Sequence, residues 1–126
     1  MIDIPILVLA LPLAFALAAG LAVASRFARV DFTPLEHAAI AAGAQSLWAA
    51  LTGDWWAGAA IGTAIFLGRE HAQAEARMQR AGLARGDFWD VLRAFRREHW
   101  NTGSALDLIA PTVVTIIIAG VAHALR

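Results

Sequence analysis

The sequence predicts an all-α integral membrane protein, and its composition and its hydropathy pattern carry this prediction. Hydrophobic residues fill 60% of the 126 positions, and mean hydropathy is +0.62. Only 16% of the residues are charged, against roughly 25% in an average soluble protein. Long apolar runs recur along the chain with short polar stretches between them. We therefore treat residues 1–126 as a single membrane domain.

The same composition excludes several classes of protein. The chain has no cysteine, so a disulfide framework, a thiolate zinc site and a cysteine nucleophile are impossible. Its hydrophobicity is too high for a disordered chain. The formal net charge is zero, which disfavours a basic nucleic-acid binder, and no nucleic-acid partner is expected.

The first apolar run, residues 2–24, is long enough to cross a bilayer. The alternative is a signal peptide, because Ala22-Val23-Ala24 resembles a cleavage site. The first three residues, Met1-Ile2-Asp3, include no Lys or Arg, and the apolar run is longer than a usual signal-peptide core. We therefore predict an uncleaved span.

The last apolar run, residues 105–125, is a second predicted span. Ser104 and Asp107 have the spacing of a capping box for its N-terminus. Pro111 then falls about one turn inside the helix, where a missing N–H costs little.

Two further runs, residues 35–52 and 55–68, lie on either side of Gly53-Asp54, a turn in which Asp54 would cap the second helix. The second run would cover only about 21 Å as a helix, short of a hydrocarbon core of about 30 Å. We predict that both runs cross, giving four transmembrane helices. The alternative is two spans with a re-entrant or interfacial hairpin between them.

Arginine positions predict the orientation. Nine of the ten arginines fall in the two loops 25–34 and 69–103. The positive-inside rule makes both loops cytoplasmic and both termini periplasmic in a multi-pass protein of a bacterial inner membrane. A single crossing between the loops would split the arginines across the membrane, so three spans are rejected.

The cytoplasmic segment 69–103 is predicted to be helical, with a break at residues 81–86. Asp87 would cap a second helix over residues 88–100, where Phe88, Val91, Leu92 and Phe95 follow helical spacing. We expect this basic amphipathic helix to lie in the lipid headgroup layer. The alternative is that it packs on the other cytoplasmic helix.

Small and polar residues within the predicted spans indicate helix association. Gly58 and Gly62 form a G-x-x-x-G face, which predicts self-association, with packing inside one chain as the alternative. Gln45 and Ser46 lie in the middle of a span, so they should bridge helices or line a wet lumen.

Candidate chemistry is sparse. Three Glu-His dipeptides occur, but adjacent residues on a helix point about 100° apart and seldom bind one metal. A metal-binding set of Glu70, His71, Glu75 and His99 is therefore a weak hypothesis. The sequence also contains no nucleophile elbow and no glycine-rich phosphate loop. We expect no catalytic residue, no metal, no cofactor and no enzymatic activity.

Two blocks of sequence resemble small multi-span membrane proteins of tailed bacteriophages. One is Phe66-Leu-Gly-Arg-Glu-His-Ala-Gln-Ala-Glu75, and the other is Leu106-Asp-Leu-Ile-Ala-Pro111. The resemblance covers roughly residues 34–122 and implies a phage origin, with some members described as holin-like. Aromatic residues often follow the first block in that group, whereas Ala76-Arg77-Met78 follow it here.

The resemblance and the predicted spans together suggest a holin-like protein that forms homo-oligomers and permeabilises the host inner membrane for lysis. The alternative is a non-pore membrane protein whose segment 69–103 binds a phage or host protein, for lysis control, superinfection exclusion or DNA entry. The pore hypothesis depends on Gly58, Gly62, Gln45 and Ser46, and the partner hypothesis on Arg69, Glu70 and Gln73. The candidate sites also include a cytoplasmic motif and the entry of the last span, which comprise Arg69, Glu70, His71, Gln73, Glu75, Asp107 and Pro111.

Overall fold

A computed structural model of the chain describes residues 31–125, together with positions 16, 17, 19, 20 and 23 of the first apolar run. The described residues form helices and no strand, which confirms the all-α class. The helices are α1 (Thr33–Thr52), α2 (Trp55–Arg80), α3 (Asp90–Arg93), a 3-10 turn (Arg97–His99) and α4 (Thr102–Ala124). The predicted span 2–24 lies outside the described residues except for the five positions named, which are helical.

Three long helices, α1, α2 and α4, each pack against the other two and form a bundle. The connection between α1 and α2 is as short as the sequence predicted. Gly53 takes the left-handed conformation that a glycine tolerates, with φ 75°. The Asp54 carboxylate accepts the N–H groups of Trp56 and Ala57 at 3.0 and 2.9 Å. The predicted cap of α2 is confirmed, and the short turn makes α1 and α2 antiparallel neighbours.

The predicted bounds of the middle runs differ in one respect from the observed helices. The run 35–52 corresponds to α1. The run 55–68 is only the first half of α2, which continues without a break to Arg80. The polar residues after Gly68 therefore extend the helix, as their helix-forming composition predicted.

The predicted start of the last helix is wrong. The cap is Asn101, whose side chain accepts the Ser104 N–H at 2.7 Å, so Ser104 and Asp107 lie inside α4 and do not form its capping box. Pro111 is consequently more than two turns inside the helix. There it removes the N–H that would otherwise donate to the Asp107 carbonyl.

The segment after α2 is less helical than predicted. One continuous helix was expected over residues 88–100, but α3 covers only four residues and a separate 3-10 turn follows. The N–H groups of Phe95 and Arg96 bond three residues back, which tightens the helix before it ends. The Trp100 indole then donates to the Ala94 carbonyl at 3.0 Å, so that carbonyl is bound without a further helical turn.

The bundle has an inverted distribution of polarity. Its interior contains small residues and polar side chains, with Gln45, Glu70 and Thr115 fully buried. Large apolar side chains point outward instead on all three helices, and they include Leu35, Ile40, Leu47, Leu51, Ile65, Leu67, Leu106, Ile109, Val113, Ile116, Ile117 and Val121. A bundle in water has the opposite arrangement.

Among the described residues, α4 is the one helix long and apolar enough to cross a membrane by length and composition. The mean hydropathy of its most apolar stretch is 2.1, and only 17% of that stretch is buried. Neither α1 nor α2 meets the same criterion.

Candidate functional site: a buried polar cluster between three helices

The bundle encloses a cluster of three potential metal ligands, one from each long helix. His37 lies near the start of α1, Glu70 lies in α2, and Asp107 lies in α4. Each offers a ligand atom, and these atoms all lie within 4.8 Å of one another. Glu70 is fully buried, His37 is 7% exposed, and the Asp107 side chain is 16% exposed.

Arg69 closes the cluster at the side that faces solvent. Its Nη1 atom donates to Oε1 of Glu70 and lies 3.8 Å from Oδ2 of Asp107, while 40% of its side chain is exposed. With the Gln73 amide oxygen facing Arg69, both terminal nitrogens of the guanidinium donate to it at 3.2 Å. Arg69 and Gln73 thus form the outer edge of the cluster.

The oxygens of the two carboxylates have different environments. Oε1 of Glu70 and Oδ2 of Asp107 face Arg69. Oδ1 of Asp107 faces Nδ1 of His37 at 3.6 Å, which is too far for a good hydrogen bond. Among the described residues, neither Oε2 of Glu70 nor Nδ1 of His37 has a hydrogen-bond partner, although both are buried. The His37 ring also packs against Phe66, with ring centroids 4.6 Å apart, which fixes the imidazole between the helices.

A second polar layer lies two turns further into the bundle. Nε2 of Gln45 donates to the Thr115 carbonyl at 2.9 Å and to the Trp55 carbonyl at 3.1 Å. The hydroxyl oxygens of Thr63 and Thr115 lie 3.3 Å apart. Gln45 therefore bridges all three helices, one of the two roles that the sequence left open. Ser46, beside it, is half-buried.

Gly58 and Gly62 lie in this same layer, against α1 of the same chain. A Cβ on Gly58 would come within 2.7 Å of the Gln45 carbonyl oxygen, and one on Gly62 within 2.9 Å of the Ala41 carbonyl oxygen. The face predicted for self-association is used inside the chain, because the two helices approach too closely there for a side chain. A homo-oligomer would need a different, outward face.

The remaining residues of the predicted cytoplasmic motif have separate contacts. His71 Nε2 lies 2.7 Å from the Val91 carbonyl oxygen, and its ring packs on Phe95 with centroids 4.1 Å apart. Glu75 is half-buried one turn later on α2. His99 lies beside Glu98, 3.5 Å from its carboxylate. Of the four residues hypothesised to hold a metal, only Glu70 belongs to the cluster.

The segment between α2 and α4 is held by a network around Asp90. Its carboxylate accepts the backbone N–H groups of Arg85 and Gly86 at 3.0 and 2.7 Å, and the guanidinium of Arg93. Burial raises the pKa of this carboxyl, but these hydrogen bonds and the Arg93 charge together lower it to about 2. At the other end, Arg77 donates to the His99 carbonyl at 2.9 Å and to the Ser104 hydroxyl at 3.0 Å.

Sequence reasoning missed His37, Thr115 and Asp90. His37 and Asp107 are ionisable residues within predicted spans, and such residues are rare and usually functional, so their positions alone gave a usable indication. Comparison with protein-family models, with curated proteins and with solved structures finds no match to this chain.

Proposed function

We propose that this chain is a four-span helical protein of a bacterial inner membrane that acts as a holin-like permeabiliser. The observation that carries the membrane assignment is the inverted polarity of the bundle. Fully buried Gln45, Glu70 and Thr115 lie inside, while large aliphatic side chains cover the outside of every long helix. This arrangement is favourable in lipid. Hydrocarbon solvates the outward aliphatic side chains, and polar side chains are more stable between the helices than in contact with hydrocarbon.

The geometry of the bundle supports crossing by all three described helices. At 1.5 Å per residue, the 20, 26 and 23 residues of α1, α2 and α4 are about 30, 39 and 34 Å long. They pack side by side, so a membrane crossed by α4 also surrounds the other two. The apolar half of α2 is short, but Arg69 is partly exposed and can reach the headgroups from the membrane boundary.

The charges support the predicted orientation. The start of α1, the second half of α2 and the start of α4 lie at one end of the bundle, because the cluster residues His37, Glu70 and Asp107 meet there. The described arginines, from Arg69 to Arg97, belong to this end or to the segment that follows it. Exposed Trp56 lies at the opposite end, where aromatic side chains suit the second interface. The arginine-rich end of the bundle would be cytoplasmic.

The resemblance to phage membrane proteins supplies the holin-like part of the proposal, and the structure restricts how a lesion would form. The polar side chains that would face water in a lesion are now buried between helices, as Gln45, Glu70 and Thr115 illustrate. Permeabilisation therefore requires α1, α2 and α4 to separate and then associate through other faces. The intact bundle is the closed form in this scheme.

Inducible expression in a bacterium tests the proposal, with membrane potential recorded and a cytoplasmic endolysin co-expressed. Holin-like action predicts abrupt depolarisation followed by lysis that depends on the endolysin. Stable growth, with the protein detected in the inner membrane, would contradict it. A periplasmic reporter fused after residue 126 and a cytoplasmic reporter inserted after residue 82 test the topology in the same cells.

A second candidate function, recruitment of a protein partner, is favoured by one surface. Leu83, Phe88, Trp89, Val91, Leu92 and Phe95 are exposed on the segment that joins α2 to α4. Substituting Phe88 and Leu92 with serine would then abolish biological activity while leaving membrane leakage and bundle stability unchanged. Loss of leakage in that variant would count against the recruitment function.

A further inference from the structure

We propose that His37, Glu70 and Asp107 form a binding site for a divalent transition-metal ion of the Zn²⁺ or Mn²⁺ class. The site is independent of whether the protein permeabilises membranes. It also differs from the weak set suggested by the Glu-His dipeptides, since its ligands come from three helices and share only Glu70 with that set.

The donor set fits such an ion. One imidazole nitrogen and two carboxylate oxygens are typical ligands of Zn²⁺ and Mn²⁺. The three ligand atoms lie within 4.8 Å of one another. Bonds of 2.0–2.1 Å would bring neighbouring ligands to about 3.4 Å. Side-chain rotations that bring the ligand atoms up to about 1.4 Å closer together close that difference, and three protein ligands leave a fourth position open.

A second observation, independent of the short distances between the three ligand atoms, also points to a bound ion. Oε2 of Glu70 and Nδ1 of His37 are buried without a hydrogen-bond partner among the described residues. Glu70 has no exposed surface and His37 is 7% exposed. An unpaired carboxylate oxygen and an unpaired imidazole nitrogen cost free energy in such an interior. A metal ion would satisfy both atoms at once.

The charge of the cluster also favours a cation. As metal ligands, Glu70 and Asp107 would both be ionised, and Arg69 supplies one positive charge from the exposed edge. A neutral His37 leaves the cluster with one net negative charge. Because 40% of the Arg69 side chain is exposed, it can swing away and open a path from the headgroup layer. Arg69 therefore acts as a competing cation in this proposal.

Metal binding to the full-length chain in detergent micelles tests the proposal. The protein is purified with a tag that contains no histidine, and Zn²⁺ or Mn²⁺ binding is measured by calorimetry and by dialysis with elemental analysis. We expect one ion per chain. H37N, E70Q and D107N should each weaken binding by at least about tenfold to a hundredfold, a range that even outer-shell substitutions reach. E75Q, on the same helix and outside the cluster, is the matched control and should bind as the wild type does.

The R69Q variant distinguishes the metal site from one alternative. In that alternative, Arg69 and a protonated His37 together neutralise the two carboxylates, and no metal ion binds. A competing cation is removed by this substitution, so Zn²⁺ should bind about tenfold or more tightly. In the ion-pair alternative, R69Q destabilises the bundle and creates no metal site. An increase in the Tm of the wild type on addition of Zn²⁺ is a further test. This measurement uses no variant, so misfolding of a variant cannot affect it. Absence of stoichiometric binding to the wild type, or equal binding by E70Q and E75Q, would overturn the proposal.

Discussion

The side-chain amide of Gln45 donates to the main-chain carbonyl of Thr115 at 2.9 Å, across seventy residues of sequence. The same nitrogen donates to the Trp55 carbonyl at 3.1 Å, so one fully buried side chain joins α1, α2 and α4. Each such bond contributes about 0.6–1 kcal/mol between helices in a membrane or a protein interior.

Replacing Gln45 by leucine should therefore lower the free energy of unfolding by about 1–2 kcal/mol, because two interhelical hydrogen bonds are lost at nearly constant volume. Thermal unfolding in detergent, followed by circular dichroism, measures this change. S46A is the neighbouring control and should stay within about 0.5 kcal/mol of the wild type, since Ser46 is only half-buried. Equal effects of the two substitutions would show that the Gln45 bridge does not stabilise the bundle.

Alanine at Gly58 or Gly62 should destabilise the single chain by about 1–3 kcal/mol, because the new Cβ would overlap main-chain oxygens of α1 at 2.7 and 2.9 Å. G68A, on the same helix, meets nothing within 4 Å and should be neutral or stabilise by up to about 1 kcal/mol. Unfolding in micelles measures stability, and light scattering records the oligomeric state. If G58A changed the oligomeric state and left chain stability unaltered, the glycines would belong to an interface between copies.

The parts of the fold that depend on local sequence were predictable. Asp54 caps α2 as expected because the carboxylate and the N–H groups it accepts are only two and three residues apart. The expected cap of α4 was wrong because Asn101, Ser104 and Asp107 all offer plausible capping oxygens within two turns. Sequence spacing alone does not rank these three.

The cluster was not predictable in the same way. His37, Glu70 and Asp107 come from three helices, and no periodicity connects residues so far apart in the chain. Contacts of this kind form only when helix packing has fixed the relative positions of the elements.

The segment around α3 should lose its structure in acid over a defined range. Asp90 has a pKa lowered from 3.8 to about 2, so its stabilising contribution is complete above about pH 4. It is lost as the pH falls through about 2. Pepsin is active over this range, and exposed Phe88 gives it a cleavage site. Cleavage after residue 88, normalised to an unstructured peptide, should rise steeply between pH 4 and pH 2.

D90N provides the control for that experiment. The amide cannot accept the Arg85 and Gly86 N–H groups and the Arg93 guanidinium as a carboxylate does, so the segment should be cleaved rapidly at every pH. A wild-type cleavage rate that does not change with pH, or a D90N profile equal to that of the wild type, would contradict the role assigned to Asp90.

Trp89 should lie in the lipid headgroup layer if the exposed apolar side chains of the segment contact a membrane. Trp89 is 59% exposed and Phe88 is 77% exposed, which is unfavourable in water. A variant that keeps only this tryptophan, with the other four changed to phenylalanine, isolates its fluorescence in lipid vesicles. Bromine near the headgroups should quench it more than bromine deep in the chains. Strong quenching by aqueous iodide, equal to that of free tryptophan, would place the segment in solution and favour the recruitment function.

A disulfide between α2 and α4 should prevent permeabilisation, because lesion formation requires the helices of the bundle to separate. The hydroxyl oxygens of Thr63 and Thr115 are 3.3 Å apart, and the chain has no native cysteine. The double variant T63C/T115C therefore forms one defined cross-link. In dye-loaded vesicles the oxidised protein should be inactive and should regain leakage on reduction, whereas T63C and T115C alone should respond to neither treatment. Undiminished leakage from the fully oxidised double variant would mean that the bundle stays closed while the membrane opens, and any lesion would then form between intact bundles.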